Sequence, residues 1–137
     1  MKNVSFVSLY FHSLDAKNRL FIPAKFREQL GETFYIVPGA EKNLYIYTNE
    51  EFDRLSAQVL EKRDRAAQRA FFSNAFEATT DKQGRVTLDG KHIEFAELSK
   101  ETAIVGAGRR VEIWSLDKFT ENEKSTSETI NYDDFDF

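Results

Sequence analysis

The stretch Asp15-Ala-Lys-Asn-Arg-Leu-Phe-Ile22 has a second copy in the chain, Asp81-Lys-Gln-Gly-Arg-Val-Thr-Leu88, which starts at residue 81 instead of 15. Both copies read Asp-x-x-x-Arg followed by an apolar, a variable and an apolar residue. Farther along, the segment 44–47 (LYIY) is matched in the same order by the segment 111–114 (VEIW). Several matches in order, at a nearly constant spacing, indicate that the chain is a duplication.

Each half is interpreted as a polar loop, a strand, a short helix, a strand, a turn, a strand and the start of a helix. Runs this short are unstable as isolated hairpins, so the two halves must support each other. We therefore predict an α+β domain in which two pseudo-symmetric halves interleave into one small barrel. The predicted strands cover residues 4–11, 19–22, 34–37, 44–47, 85–88, 103–105 and 111–114.

Three helices are predicted from local signals. Pro23 suits the first turn of a helix and Gly31 suits the position after its last residue. Thr48 and Glu51 form a capping-box pattern, which predicts a helix start there. Residues 64–75 continue helically, with alanines and Phe71 as the apolar side.

Composition excludes several classes of protein. The 137 residues fit one domain, and the absence of Cys excludes a disulfide scaffold, thiolate zinc sites and a cysteine nucleophile. With only two His, His12 and His92, a histidine-rich metal site is not expected. No run reaches the ~20 apolar residues that span a membrane, and the start lacks the pattern of a secretory signal. We find no enzyme signature, and we expect neither a cofactor nor a metal.

Charge is distributed unevenly along the chain. The formal net charge is −4, but residues 120–137 contain six acidic residues and one lysine, so the remainder carries about +1. We divide the chain into a domain at 1–122 and an acidic, disordered tail at 123–137. The domain comprises repeats at about 4–57 and 70–122, linked by a helical segment at about 50–76.

The repeated loop has two interpretations. In the first it is a structural turn, in which Asp15 pairs with Arg19 and nothing binds. In the second, Arg19 and Arg85 form two basic tips that grip phosphate or guanine through the planar guanidinium fork. Asn18 and Gly84 both suit a position of positive φ in such a turn.

These residues resemble the MraZ family. The family signature Asp-x-Lys-x-Arg-x-x-x-Pro-x-x-Phe-Arg is similar to the run from Asp15 to Arg27, and the second Asp-x-x-Gly-Arg copy is supplied by residues 81–85. The resemblance implies a duplicated AbrB-like swapped-hairpin fold. It also implies a bacterial transcription regulator that binds tandem promoter repeats as a homo-oligomeric ring and controls its own operon of division and cell-wall genes. Such a protein would be cytoplasmic and associated with the nucleoid.

The resemblance implies a set of site residues as well. DNA contacts fall on Lys17, Asn18 and Arg19 in the first copy and on Lys82 and Arg85 in the second. The loops are shaped by Asp15, Asp81, Gly84 and Pro23. The second copy departs from the pattern, because Asp89 stands where a proline is expected and Ile93 where Arg27 would repeat.

Other features leave alternatives open. A different class of function is an AbrB-like antitoxin or protein-interaction module that uses the acidic tail. That tail, ending in Asp133-Asp-Phe-Asp-Phe137, is a solubilising extension, a docking peptide, or a DNA mimic that folds back on the basic loops. A basic cluster in the linking segment is a solvated helix face or a second phosphate-contacting face: Arg54, Lys62, Arg63, Arg65 and Arg69. The aromatic residues Phe71, Phe72 and Phe76 are interpreted as core or subunit interface.

Overall fold

The computed structural model describes residues 5–125 and 130–136. Eight strands and five helices follow one another in the described chain. The first half contains β1 (Leu9–Ser13), β2 (Arg19–Phe21), α1 (Ala24–Leu30), β3 (Phe34–Pro38), β4 (Leu44–Thr48) and α2 (Asn49–Glu61). After α3 (Arg65–Ser73), the second half contains β5 (Phe76–Ala78), β6 (Arg85–Thr87), α4 (Gly90–Phe95), β7 (Glu101–Gly106), β8 (Val111–Ser115) and α5 (Leu116–Ser125).

The two halves are interleaved, as the sequence predicts. Six strands form an antiparallel sheet in the order β1-β7-β8-β4-β3-β5, and β2 pairs with β6 in a separate two-stranded ribbon. The first strand of each half thus pairs with the third strand of the other half, β1 with β7 and β5 with β3. This exchange is the arrangement of a duplicated α+β domain with pseudo-twofold symmetry, and the predicted fold class is confirmed.

The core lies between the sheet and the ribbon. Leu20 and Ile22 after the first loop, and their counterparts Val86 and Leu88 after the second, are all buried in one hydrophobic cluster. Phe26 joins this cluster, and its ring packs edge-on against Phe6 at 5.7 Å between centroids. Burial of the apolar positions that follow each loop fixes the two loops to the same core.

Several element boundaries differ from the sequence prediction. β1 begins at Leu9; before it, Phe6 forms an isolated bridge with Gly108, and Val4 lies outside the described residues. The strand β5 was not predicted. The linking segment divides into α2 and α3, because Arg63 has a φ of +53° and Asp64 caps a new helix by accepting a hydrogen bond from the Ala67 N–H.

The acidic segment starts as helix. α5 continues to Ser125, so the end of the predicted domain and the first residues of the predicted disordered tail, 123–125, are helical. Ser115 starts this helix, since its Oγ accepts a hydrogen bond from the Lys118 N–H. Farther on, residues Tyr132–Asp134 form a 3-10 turn, and residues 126–129 and 137 lie outside the described ranges. In the described residues, no helix is long and apolar enough to span a membrane.

Candidate nucleic-acid interface

The first loop is held in shape by the Asp15 carboxylate. Its Oδ1 accepts hydrogen bonds from the backbone N–H groups of Lys17 and Arg19, both at 2.9 Å. The backbone closes around it, because the Asp15 N–H donates to the Arg19 carbonyl at 3.0 Å and the Asn18 N–H donates to the Asp15 carbonyl at 3.0 Å. Asn18 takes a positive φ of 62°, as the sequence predicts. One aspartate thus presents Arg19 from a tight turn.

The second loop repeats this geometry. Asp81 Oδ1 accepts from the backbone N–H groups of Gln83 and Arg85, both at 2.9 Å. The Asp81 N–H donates to the Arg85 carbonyl at 2.8 Å, and the Gly84 N–H donates to the Asp81 carbonyl at 3.0 Å. Gly84 takes a φ of 82°. The duplication therefore preserves the shape of the loop, including the role of its aspartate.

Both aspartates are held in the ionised form. Backbone hydrogen bonds from Arg19 lower the pKa of Asp15, and its side-chain bond with Arg19 lowers it further. The same contacts from Arg85 lower the pKa of Asp81. Hydrogen bonds to a carboxylate favour its charged form. Both loops consequently keep their acceptors ionised at any pH near neutral.

The two loop arginines converge on one place. Antiparallel pairing of β2 with β6 sets Arg19 opposite Thr87 and Phe21 opposite Arg85. Asp15 Oδ2 lies 2.7 Å from Arg19 Nε and 4.0 Å from Arg85 Nη1, so a single carboxylate lies within ion-pair distance of both guanidinium groups. Asp81 Oδ2 in turn binds Arg85 Nε at 2.9 Å. The sequence predicted two separate basic tips, whereas the structure joins them in one ribbon.

The Asp–Arg pairing is compatible with both interpretations of the loop. Each aspartate binds the Nε of its arginine, as the structural-turn interpretation requires. The terminal Nη groups of Arg19 donate to no carboxylate within residues 5–125 and 130–136, and both arginines are half-buried. A guanidinium that is fixed through Nε and open at its Nη groups is preorganised to donate to phosphate or to a base edge.

The flanking residues of the predicted site are exposed. Lys17, Asn18 and Lys82 all face solvent, and neither lysine has an ion-pair partner in the part of the chain that the structure describes. With Arg19 and Arg85 they form a basic edge along the ribbon, which we call the ribbon site. Pro23 is buried at the start of α1, with a φ of −51° and a ψ of 142°.

Arg27 creates a difference between the loops that sequence reasoning missed. Its Nε donates to the Ile22 carbonyl at 2.8 Å, and its guanidinium lies 5.3 Å from the centroid of the Phe21 ring. It also covers Gly84: a Cβ added there would lie 2.7 Å from Arg27 Cζ. Gly84 is buried as a result, whereas Asn18 at the equivalent position is exposed. The available signal was that only the first copy carries this arginine.

The second copy starts its helix without proline. Asp89 stands in the place of Pro23, and its φ of −71° and ψ of 141° nearly reproduce the backbone of that proline. Ile93, in the place of Arg27, packs against the core. The departures from the family pattern therefore leave the second loop intact and remove only the arginine that would cover Asn18.

The described residues contain no group of three or more His, Asp or Glu side chains that could hold a metal ion. The ribbon site concentrates hydrogen-bond donors, and its acidic residues are already paired with the arginines of their own loops. This chemistry suits an anionic partner.

Comparison with known proteins places this geometry in a family. The family model described as "MraZ protein, putative antitoxin-like" matches the chain twice, over residues 6–71 and 71–134. Relatives named "Transcriptional regulator MraZ" include one from Dictyoglomus thermophilum, 43% identical over 133 residues, covering 92% of this chain and 91% of the relative. One from Heliobacterium modesticaldum is 44% identical over 126 residues, covering 88% of each chain. One from Carboxydothermus hydrogenoformans is 45% identical over 115 residues, covering 80% of each chain.

The two family matches correspond to the two interleaved halves, and each contains one Asp-x-x-x-Arg loop. The relatives carry the name of a transcriptional regulator and not of an enzyme. The duplicated fold, the paired loops and the extent of the matches together show that the chain belongs to the MraZ family.

Proposed function

We propose that this protein is a sequence-specific, DNA-binding transcriptional regulator that binds DNA through the ribbon site. The observation that carries the proposal is the convergence of Arg19 and Arg85 on one two-stranded ribbon, each fixed by an aspartate of its own loop. Arg19 is the principal contact, with support from Lys17, Asn18, Lys82 and Arg85. The name that the relatives carry points to the same class of function.

The shape of the site fits double-stranded DNA. The major groove of B-DNA is ~12 Å wide and admits a two-stranded β-ribbon. Arginine donates bidentately to guanine O6 and N7, and such a contact gives about 1–3 kcal/mol of discrimination against a wrong base. Exposed lysines beside the arginines neutralise phosphates and set the register on the duplex. The arginines give sequence specificity, and the lysines fix the register of the protein on the DNA.

One ribbon neutralises few phosphates, so a single protomer should bind weakly and with a strong dependence on salt. Binding to tandem promoter repeats as a homo-oligomeric ring would make these weak contacts avid, because each further contact becomes intramolecular. We therefore propose that copies of this chain form a closed ring and that the ring controls the operon that contains this gene. The protein would then lie in the cytoplasm, associated with the nucleoid. The division and cell-wall genes are the expected targets.

The test is binding to the DNA upstream of the protein's own gene, measured by fluorescence anisotropy with and without its tandem repeats. Arg19→Ala should lose specific binding while keeping the melting temperature and the oligomer size of the unmodified protein. Arg109→Ala is the matched control, since Arg109 is an exposed arginine in the turn between β7 and β8. Unchanged binding by Arg19→Ala, or an equal loss in the control, would refute the proposal.

A protein-interaction role for the acidic tail predicts a different outcome. Deletion of residues 123–137 would then remove capture of a basic protein partner and leave DNA binding intact. If the tail is a DNA mimic, the same deletion should raise DNA affinity and change its salt dependence. Capture of a protein partner and DNA affinity therefore distinguish the role of the tail from that of the ribbon site.

A further inference from the structure

The outward face of the ribbon carries a second side chain beside each loop arginine. The middle residue of each ribbon strand is buried in the core, so the residues on either side of it face away from the core. Thr87 lies opposite Arg19 in the register of the ribbon. Phe21 lies opposite Arg85. Because opposite residues in an antiparallel pair have Cβ atoms about 4.5–5.5 Å apart, each arginine has a different close neighbour.

Phe21 and Thr87 occupy equivalent positions of the duplicated sequence. They are 66 residues apart, which is also the offset between the two loop aspartates. The His12 ring packs edge-on against Phe21, with 5.0 Å between ring centroids. The Arg27 guanidinium lies 5.3 Å from the centroid of the same ring. Phe21 is therefore fixed by two neighbours, and it is half-buried.

Thr87 lacks both of these neighbours. Ala78 stands in the place of His12, and Ile93 stands in the place of Arg27. Thr87 is exposed and lines an open cleft of about 540 Å³. Within residues 5–125 and 130–136 its hydroxyl has no hydrogen-bond partner. The hydroxyl is thus available to whatever ligand the neighbouring arginine binds.

We propose that Thr87 is a specificity-determining residue, whose hydroxyl contacts the base pair next to the one that Arg19 contacts. The inference rests on the DNA-binding function proposed above and adds a residue to the ribbon site. Phe21 takes the equivalent place beside Arg85, so the two ends of the ribbon read different base pairs. The protein consequently binds a repeat in one orientation.

The spacing of the ribbon supports this assignment. Successive bases of a DNA strand are 3.4 Å apart along the helix axis, so a side chain about 5 Å from Arg19 lies over the same base pair or the next one. β-ribbons that enter the major groove contact base edges with their strand side chains. A threonine hydroxyl donates and accepts hydrogen bonds, whereas a phenyl ring makes only apolar contacts. Thr87 and Phe21 therefore favour different base pairs.

A purely structural role for Thr87 makes a different prediction. β-branched side chains suit strands, so a threonine on an exposed ribbon can serve pairing alone. Thr87→Val keeps the β-branched shape and removes only the hydroxyl, so it would then bind DNA normally. Thr79 is the matched control, because it is exposed and lines the same cleft but lies outside the ribbon.

The test measures, by fluorescence anisotropy, the affinity of the full-length protein for a duplex with one upstream repeat and for duplexes in which each base pair is replaced in turn. Thr87→Val should bind the intact repeat about threefold to tenfold more weakly, as expected for the loss of one hydrogen bond. It should also become insensitive to replacement of one base pair, next to the pair to which Arg19→Lys is insensitive. Thr87→Ser, which keeps the hydroxyl, and Thr79→Val should behave like the unmodified protein.

Orientation on the DNA is the second readout. The chain has no cysteine, so a DNA-cleaving iron chelate can be attached at one engineered position. Lys25 on α1 and Lys91 on α4 are exposed and are related by the same offset of 66 residues. On the single-repeat duplex, labelled Lys25→Cys and Lys91→Cys should cut opposite ends of the repeat. Adding Thr87→Phe gives both arginines the same neighbour, so each labelled protein should then cut the two ends more equally.

The outcomes separate this inference from the proposed function. An equal loss of affinity for the repeat and for a scrambled duplex in Thr87→Val would assign the hydroxyl to a phosphate and overturn the inference. Unchanged recognition in Thr87→Val, or the same loss in Thr79→Val, would overturn it too. Cutting of both ends by each labelled protein would contradict the single orientation. If the unmodified protein does not prefer the repeat to scrambled DNA, the proposed function itself fails, and this inference fails with it.

Discussion

The two loops of the ribbon share one backbone design and differ in what surrounds it. Asp15 and Asp81 each accept hydrogen bonds from the backbone N–H groups two and four residues later in their own loop. Each also binds the Nε of the arginine four residues later. The first loop adds exposed Lys17, whereas Gln83 stands at that position in the second. Duplication has thus conserved the geometry that aims an arginine while the charge beside it has changed, so the loops should contribute unequally to DNA binding.

The largest effect should come from the loop arginines. Arg19→Ala should weaken binding to the tandem repeats by about tenfold or more, since a bidentate base contact is worth about 1–3 kcal/mol. Arg85→Ala should weaken it less, because no lysine stands at the Gln83 position to support that contact. Titrations of both variants at one salt concentration measure the ratio. Equal losses would mean that the loops are functionally equivalent.

The next effect concerns stability and the residues at positive φ. Gly84→Asn should lower the free energy of unfolding by about 1–2 kcal/mol, because a side chain there displaces the Arg27 guanidinium from its hydrogen bond and from the Phe21 ring. The reciprocal Asn18→Gly should be close to neutral, since Asn18 is exposed. Urea unfolding of both variants is the measurement. If Gly84→Asn leaves the free energy of unfolding unchanged, the contacts of Arg27 with the Ile22 carbonyl and the Phe21 ring do not contribute to stability.

A smaller effect concerns the charge at the equivalent positions Lys17 and Gln83. Lys17→Gln should reduce the slope of log affinity against log salt by about 1, as expected for the loss of one phosphate contact. Gln83→Lys should increase that slope by a similar amount. If neither substitution changes the slope, these positions do not contact phosphate.

The smallest effect is the dependence of stability on pH. Both loop aspartates have a pKa lowered from 3.8, so their stabilising effect is present above that pH and is lost as the pH falls through the lowered value. Asp15→Asn should be less stable than the unmodified protein by a constant difference from pH 7 down to about pH 4. The difference should shrink at lower pH. Urea unfolding across this range measures it, and a difference that grows on acidification would contradict the assignment.

Sequence reasoning succeeded where the structure depends on neighbours in the chain. The Asp-x-x-x-Arg loops, the cap at Thr48, and the positive φ of Asn18 and Gly84 all follow from local chemistry. Repeats in the same order indicated a duplication, and strands too short to be stable alone indicated that the two halves interleave. These features required no knowledge of which distant segments meet.

Features that depend on distant contacts were missed. Arg19 and Arg85 converge because β2 pairs with β6 across more than sixty residues of sequence. Three-residue β5 exists because it pairs with β3, and its own residues carry no strand pattern. The contact of the Arg27 guanidinium with Gly84 forms only when the two loops are brought together.

The central claim, that the ribbon site reads DNA sequence through Arg19, is tested most directly by the ratio of affinities for the upstream repeats and for a scrambled duplex. Arg19→Lys keeps the charge but loses the planar fork that donates bidentately. This variant should keep most of its affinity for scrambled DNA while the ratio falls toward one. A ratio equal to that of the unmodified protein would contradict it.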